Sequence, residues 1–409
     1  MTTLRISQRA QRVEPFYVME LAKAAADMAR QASAGSRPMI YLNIGEPDFT
    51  APPLVQAAAE RAIREGRTQY TPATGLPALR EAISGWYASH FGLSIDPARI
   101  VVTAGASAAL QLACLALIEA GDEVLMPDPS YPCNRQFVQA AEGRPVLIPS
   151  GPEERFQLSA EHVSTAWEPS TRGVLLASPS NPTGTSIARD ELERIARFVR
   201  EKGGVTLVDE IYLGLSYDEA YGHSALGLPD GLGDEVISIN SFSKYFNMTG
   251  WRLGWLVLPP VLVPAVERLA QNLFICASTI SQHAALACFA PESLTEYERR
   301  GAEFKARRDY FIPQLDRLGL PVPVKPDGAF YAWADVSALC DRWGIPMQGG
   351  RPGEGGSWAL AFELMRRCQL ATTPGRDFGL ADPGRHLRFS TANAMPQLEE
   401  AVQRLEAAL

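Results

Sequence analysis

Lysine is scarce in this chain, and one of the five sits where an amine could do covalent work. Lys23, Lys202, Lys305 and Lys325 lie on polar helix faces, at a polar helix end or before a Pro-Asp-Gly turn, and read as solvated surface amines. Lys244 instead closes Ser241-Phe242-Ser243-Lys244, directly after the strand-like run 236–239. Hydroxyls, aromatics and a buried strand lower an amine pKa by desolvation, and a neutral amine is both nucleophile and base. A salt-bridging lysine is the ordinary alternative, and the company Lys244 keeps elsewhere decides between the two.

That company stands just past the ends of other strand-like runs, where open α/β sheets collect their ligands. After 99–103 comes Ala104-Gly105-Ala106-Ser107 at the start of a helix, small enough for backbone N–H groups to approach an anion. After 123–126, a proline-rich turn presents Tyr131; after 173–177, Asn181 lies in Ser178-Pro179-Ser180-Asn181-Pro182-Thr183-Gly184. After 205–208 come Asp209, Glu210 and Tyr212, and beyond Lys244 stands Arg252 in Thr249-Gly250-Trp251-Arg252-Leu253-Gly254. Each has a local reading: Ser107 and Asp209 as helix N-caps, Asn181 closing its own turn, Tyr131 as a half-packed surface ring. As a set they meet the needs of pyridoxal 5′-phosphate. An amine forms a Schiff base with its aldehyde, and a carboxylate keeps its pyridine nitrogen protonated. A phenol and an amide bond its phenolate oxygen, an aromatic stacks on its ring, and a helix start, hydroxyls and an arginine hold its phosphate.

These groups need a scaffold, and the chain supplies a mainly parallel sheet wrapped by helices. Short β-rich apolar runs alternate with amphipathic helices at 108–120, 135–141 and 189–202. After Pro260, long helices dominate, including 292–318. Strands are then expected at 328–333 and 387–390 and helices at 358–368 and 397–407, a smaller α+β unit completed by the N-terminal segment. At 409 residues there is room for about two domains, and 46% apolar with 21% charged residues is ordinary for a soluble globular protein. A net charge of -8 without a basic tract argues against nucleic acid, and no apolar run approaches the length of a membrane span. The six cysteines lack C-x-x-C spacing and read as reduced core thiols of a cytosolic protein; the five histidines show no metal-ligand spacing. Arg5, Arg9 and Arg12 read as part of a structured arm, not a presequence, and the glycine-rich stretch 348–356 as a mobile surface loop.

The chain resembles the class I/II pyridoxal-phosphate-dependent aminotransferases of fold type I. The resemblance runs over nearly the whole length. It rests on Asn43-Ile44-Gly45-Glu46-Pro47-Asp48-Phe49, Tyr70-Thr71-Pro72-Ala73-Thr74-Gly75, Asn181-Pro182-Thr183-Gly184, Asp209-Glu210-Ile211-Tyr212, Ser241-Phe242-Ser243-Lys244 and Thr249-Gly250-Trp251-Arg252-Leu253-Gly254, in that order.

It implies a large domain (49–290) with a mainly parallel seven-stranded sheet, an N-terminal arm and part of the small domain in 1–48, and a C-terminal small domain in 291–409. It implies Lys244 as the Schiff-base lysine, Asp209 as partner of the pyridine nitrogen, Tyr212 and Asn181 as O3′ contacts and Tyr131 as the stacking ring. Ala106, Ser107, Ser241, Ser243 and Arg252 then lie at the cofactor, most of them around its phosphate. By the same resemblance Tyr70 is expected to reach the phosphate of a second subunit, which implies a homodimer with shared sites, cytoplasmic by the reading of its cysteines. Arg388, helped by Gly45 and Asn181, clamps the substrate carboxylate, and the segment around Phe16 and Tyr17 covers the site.

Ala106 and Ser107 depart from members that carry Gly or Ser and, for acidic substrates, Lys at these positions. No second arginine is evident for a side-chain carboxylate. The expectation is transamination from a neutral or aromatic donor. A β-eliminating lyase is the alternative, and a non-enzymatic regulator fits poorly.

Overall fold

A computed structural model describes residues 4–15, 17–31, 37–349 and 355–409. Its strands are β1 (Ile40–Tyr41), β2 (Ile100–Thr103), β3 (Glu123–Asp128), β4 (Arg144–Pro149), β5 (Thr171–Ala177), β6 (Val205–Asp209), β7 (Ile237–Ser241), β8 (Gly254–Val257), β9 (Tyr331–Asp335), β10 (Leu370–Ala371), β11 (Thr373–Pro374) and β12 (His386–Ser390). Seven of them form one sheet in the order β2-β8-β7-β6-β5-β3-β4. The pairs among β3 to β7 are parallel, and β8 runs antiparallel to both of its neighbours.

Alternate side chains of this sheet enter two different cores, which is why its strands read as continuous apolar runs. Leu125, Val174, Leu176 and Val208 face the helices Pro53–Arg64, Pro77–Phe91 and Arg189–Glu201. Val124, Met126, Leu175 and Leu207 face the helix Ala106–Leu117 and its neighbours. Proline opens the helices at Pro53, Pro77, Pro132 and Pro291, where its missing N–H has no intrahelical partner to lose.

The smaller unit joins the two ends of the chain. Leu21, Ala25, Ile40 and Leu42 are buried with Leu360, Leu364, Leu387, Phe389 and Leu405, β1 pairs with β10, and β12 lies between β9 and β11. The helix Pro291–Arg317 serves both units: Tyr297 and Phe304 pack in the large core, and Phe311 and Leu315 in the small one. The boundary expected at 290 therefore falls at the start of a shared strut.

Several expectations shift. The helix expected from 108 begins at Ala106, so Ser107 lies inside its first turn and is not its cap. The strand expected over 328–333 begins at Tyr331. Strand β8 follows Arg252 so closely that the motif hid it. Cys114, Cys288, Cys340 and Cys368 are buried as expected, but Cys133 and Cys276 are half-exposed and not core residues. Of the glycine-rich stretch, 350–354 lie outside the described residues, as does Phe16. Among the described residues no helix is long and apolar enough to cross a membrane.

Candidate active site

The carboxyl ends of the parallel strands open into a cavity of about 460 Å³. Every candidate named from the sequence lines it except Tyr70: Gly45, Ala106, Ser107, Tyr131, Asn181, Asp209, Tyr212, Ser241, Ser243, Lys244, Arg252 and Arg388. Tyr70 is 79% exposed and does not line it.

Strand register sets the centre of the site. Asp209 ends β6 between Ala177 of β5 and Ile239 of β7, so its carboxylate is buried mid-sheet. Its Oδ1 accepts from the Ile211 N–H at 3.2 Å. Burial, with the charge of neighbouring Glu210 adding to it, pushes Asp209 up to about 7. Glu210 is turned instead into the fold, accepting from Ser238 Oγ (2.6 Å), Ser224 Oγ (2.9 Å) and Ala225 N–H (2.7 Å).

Lys244 follows β7 and donates from Nζ to the Gly45 carbonyl at 2.6 Å. Burial, and next the guanidinium of Arg388, lower it to about 8. The Tyr212 hydroxyl is paired with that of Tyr331 at 2.6 Å, and burial holds both phenols above their usual range.

One end of the cavity is an anion cradle. The helix Ala106–Leu117 points its N-terminus at it, with Gly105 at φ +82° before the first turn. A Cβ on Gly105 would lie 2.6 Å from Arg252 Nη2, so glycine lets this guanidinium approach the backbone. Arg252 is braced by its Nη1 donation to Thr249 O at 3.0 Å. The Ser241 hydroxyl accepts from Ser243 N–H at 3.0 Å.

The opposite end belongs to Arg388. Its Nη1 donates to Asn181 Oδ1 (2.7 Å) and its Nη2 to the Asn43 carbonyl (2.7 Å). The rings of Tyr331 and Phe378 lie 4.4 and 4.9 Å from its guanidinium carbon. Its buried Nε has no hydrogen-bond partner among the described residues.

The comparisons with known proteins agree with this geometry. The family description "Aminotransferase class I and II" fits residues 37–405. The chain belongs to the class I and II aminotransferases. This aminotransferase is 38% identical to the valine–pyruvate aminotransferase of Mycobacterium tuberculosis over 98% of each chain. The crystal structure of an aminotransferase from Mycobacterium tuberculosis superposes with a TM-score of 0.90 at 38% identity, covering 100% of this chain and 99% of the other. Aspartate aminotransferase from Thermus thermophilus with maleate superposes with a TM-score of 0.87 at 31% identity and full coverage of both chains. The fold is that of these fold type I enzymes, and the chain is a pyridoxal-phosphate-dependent transferase acting on amino acids and 2-oxo acids.

The residues present fit that cofactor. A buried carboxylate pushed up to about 7 gains from a cationic ring nitrogen beside it, and a helix start with an arginine held over a glycine suits a phosphate. Sequence reasoning missed Tyr331 and the apolar wall of Val18, Met19, Ala22 and Ile44. Tyr331 had a signal: it shares a strand face with Trp333, which pairs with Arg388. For Val18, Met19 and Ala22 the resemblance had set the segment around Phe16 and Tyr17 over the site, but only the fold shows which side chains of the helix that follows reach the strand ends.

Proposed function

We propose that this aminotransferase takes a neutral or aromatic amino acid as donor, with Lys244 as the amine that carries the cofactor and then serves as general base. When bound, pyridoxal phosphate supplies an aldehyde that condenses with amines and a ring that accepts the electron pair released at the substrate Cα. Lys244 Nζ, lowered to about 8, holds a far larger neutral fraction near neutral pH than an ordinary lysine and takes the proton from Cα. Asp209 holds a proton on the pyridine nitrogen. Tyr212 and Asn181 orient the phenolate edge, Tyr131 backs the ring, and Ala106, Ser107, Ser241, Ser243 and Arg252 bind the phosphate end. Arg388, with Asn181 and Gly45 beside it, aligns the substrate carboxylate so that the Cα proton faces Lys244.

The donor class rests on one observation. Among the described residues lining the cavity, the cations are Lys244, Arg252 and Arg388, and each already has a task. The wall left for a substrate side chain is Val18, Met19, Ala22 and Ile44. A second substrate carboxylate against these groups would be desolvated without a partner. The valine–pyruvate relative supports this reading by its name. Half-reactions with alanine, valine, phenylalanine and aspartate test it, and cofactor conversion fastest with aspartate would refute it.

The assembly we propose is a homodimer in which Tyr70 completes the partner's phosphate site. Tyr70 is exposed, as are Leu273, Phe274 and Ile275, and Thr279 Oγ1 donates to Gln69 O at 2.7 Å, so these apolar groups share one surface. Mixing Tyr70→Ala with Lys244→Ala subunits tests it: hybrids should regain activity through one intact site, and no recovery in verified hybrids would contradict shared sites. The domain division at 48 and 290 and a cytoplasmic setting, supported by six unpaired thiols, belong to the same proposal.

A further inference from the structure

The apolar wall of the cavity is carried by the helix Tyr17–Gln31, and one carboxylate holds the start of that helix. Asp377 is 1% exposed. Its Oδ1 accepts from the Tyr17 N–H at 3.0 Å and its Oδ2 from the Val18 N–H at 2.7 Å. These are among the N–H groups that a helix start leaves without intrahelical partners, and a carboxylate there also faces the positive end of the helix dipole. Val18, whose N–H is held, is itself a wall residue, and Met19 and Ala22 follow within the next turn.

The clasp reaches both ends of the site. Arg376 places its guanidinium 4.1 Å from the Tyr17 ring and 4.7 Å from that of Trp358, which meet edge to face. On the other side, Arg135 Nη2 donates to Asp377 O at 3.2 Å, and the Ser130 N–H, next to Tyr131, donates to Phe378 O at 2.8 Å. Phe378 in turn packs against the guanidinium of Arg388. Asp377 thus stands where the helix bearing the apolar wall, the turn bearing Tyr131 and the floor under Arg388 meet.

We propose that Asp377 is a specificity-determining positioning residue: by clasping the first turn of the 17–31 helix it sets how closely Val18, Met19 and Ala22 approach the substrate side chain. This builds on the apolar-donor reading above. The consequence depends on the substrate. A donor with a long side chain loses its wall when the clasp is cut, whereas alanine, whose side chain ends at Cβ, has little wall to lose.

The test uses the holoenzyme, with Asp377→Asn and Asp377→Ala beside the parent. Half-reaction kcat/KM should fall about 10-fold or more for valine and phenylalanine in Asp377→Ala but less than about 3-fold for alanine. Asp377→Asn, which keeps one acceptor oxygen, should lie between and serves if the alanine variant folds poorly. Hydrogen exchange should report protection of the 17–31 amides reduced by about 10-fold, the usual consequence of losing an N-cap, with the strands of the large sheet unaffected. Equal losses for alanine and phenylalanine, or unchanged exchange over 17–31, would overturn the proposal. If the parent prefers aspartate, the apolar-donor reading fails, while the exchange result and the dependence of the loss on side-chain length still decide the role of Asp377.

Discussion

The wall that carries Lys244 and the wall that carries Arg388 hold their charged groups by different means. Asp209 stands at the end, and Lys244 just past the end, of adjacent parallel strands. The turn of Lys244 carries short-range bonds, Ser243 N–H to Ser241 Oγ and Asn247 Nδ2 to Lys244 O at 2.9 Å, beside the longer reach of Nζ to the Gly45 carbonyl. Arg388 is held by Asn43 and Asn181, and the neighbouring helix by Asp377, contacts that join distant parts of the chain. The first wall inherits the rigidity of a sheet buried on both faces. The second joins a strand of the small three-stranded sheet, which carries Arg388, to a helix and loops that can be re-tuned without disturbing the large sheet. On the proposed reading the proton transfer at Cα belongs to the first wall, and the fit of the substrate side chain against the helix beside Arg388 belongs to the second.

Removing the charge at the centre of the sheet should cost most. Asp209→Asn keeps the shape of the site but loses the partner for a ring cation, and kcat should fall about 10²- to 10³-fold with a much smaller change in KM. Steady-state kinetics check it, and a pure KM effect would move Asp209 out of the reacting centre. On the other wall, Arg388→Lys replaces a planar fork by a point charge. It should lower kcat/KM about 10- to 100-fold, mainly through KM. If both substitutions acted alike on kcat and KM, the contrast between the walls would fail.

The smallest effect is a titration to which both walls contribute. Lys244 is lowered to about 8, so in the apoprotein its reaction with a simple aldehyde should rise through about pH 8, far below the range of an ordinary lysine. Asp209 opposes this lowering and Arg388 adds to it. Asp209→Asn should therefore move the midpoint down and Arg388→Ala should move it up. Rates of imine formation measured across pH 6 to 11 on the apoprotein (about pH 10.4 being the ordinary lysine midpoint) would reveal either shift in the wrong direction.

The same contrast explains what could be read from the sequence. The wall that carries Lys244 was legible because a parallel sheet delivers functional groups just past its strands, so Asn181, Asp209, Ser241 and Lys244 carry their location in their local context. Strand β8 was not, since four residues beside Arg252 offer too short a pattern to separate from the motif. The other wall was legible only in part. Arg388 is marked by a strand of its own, whereas Tyr331, Val18 and Asp377 look in sequence like a strand aromatic, a helix apolar and a turn acid. The roles of Val18 and Asp377 arise from long-range packing that no local pattern encodes, and that of Tyr331 shows only through its strand face.

The central claim is that Lys244, alone among the five lysines, bears the cofactor. Borohydride reduction of the holoenzyme followed by peptide mass mapping tests it most directly. The account predicts one pyridoxyl-phosphate adduct per chain, on the peptide containing Lys244; an adduct on Lys23, Lys202, Lys305 or Lys325 with Lys244 unmodified would contradict it.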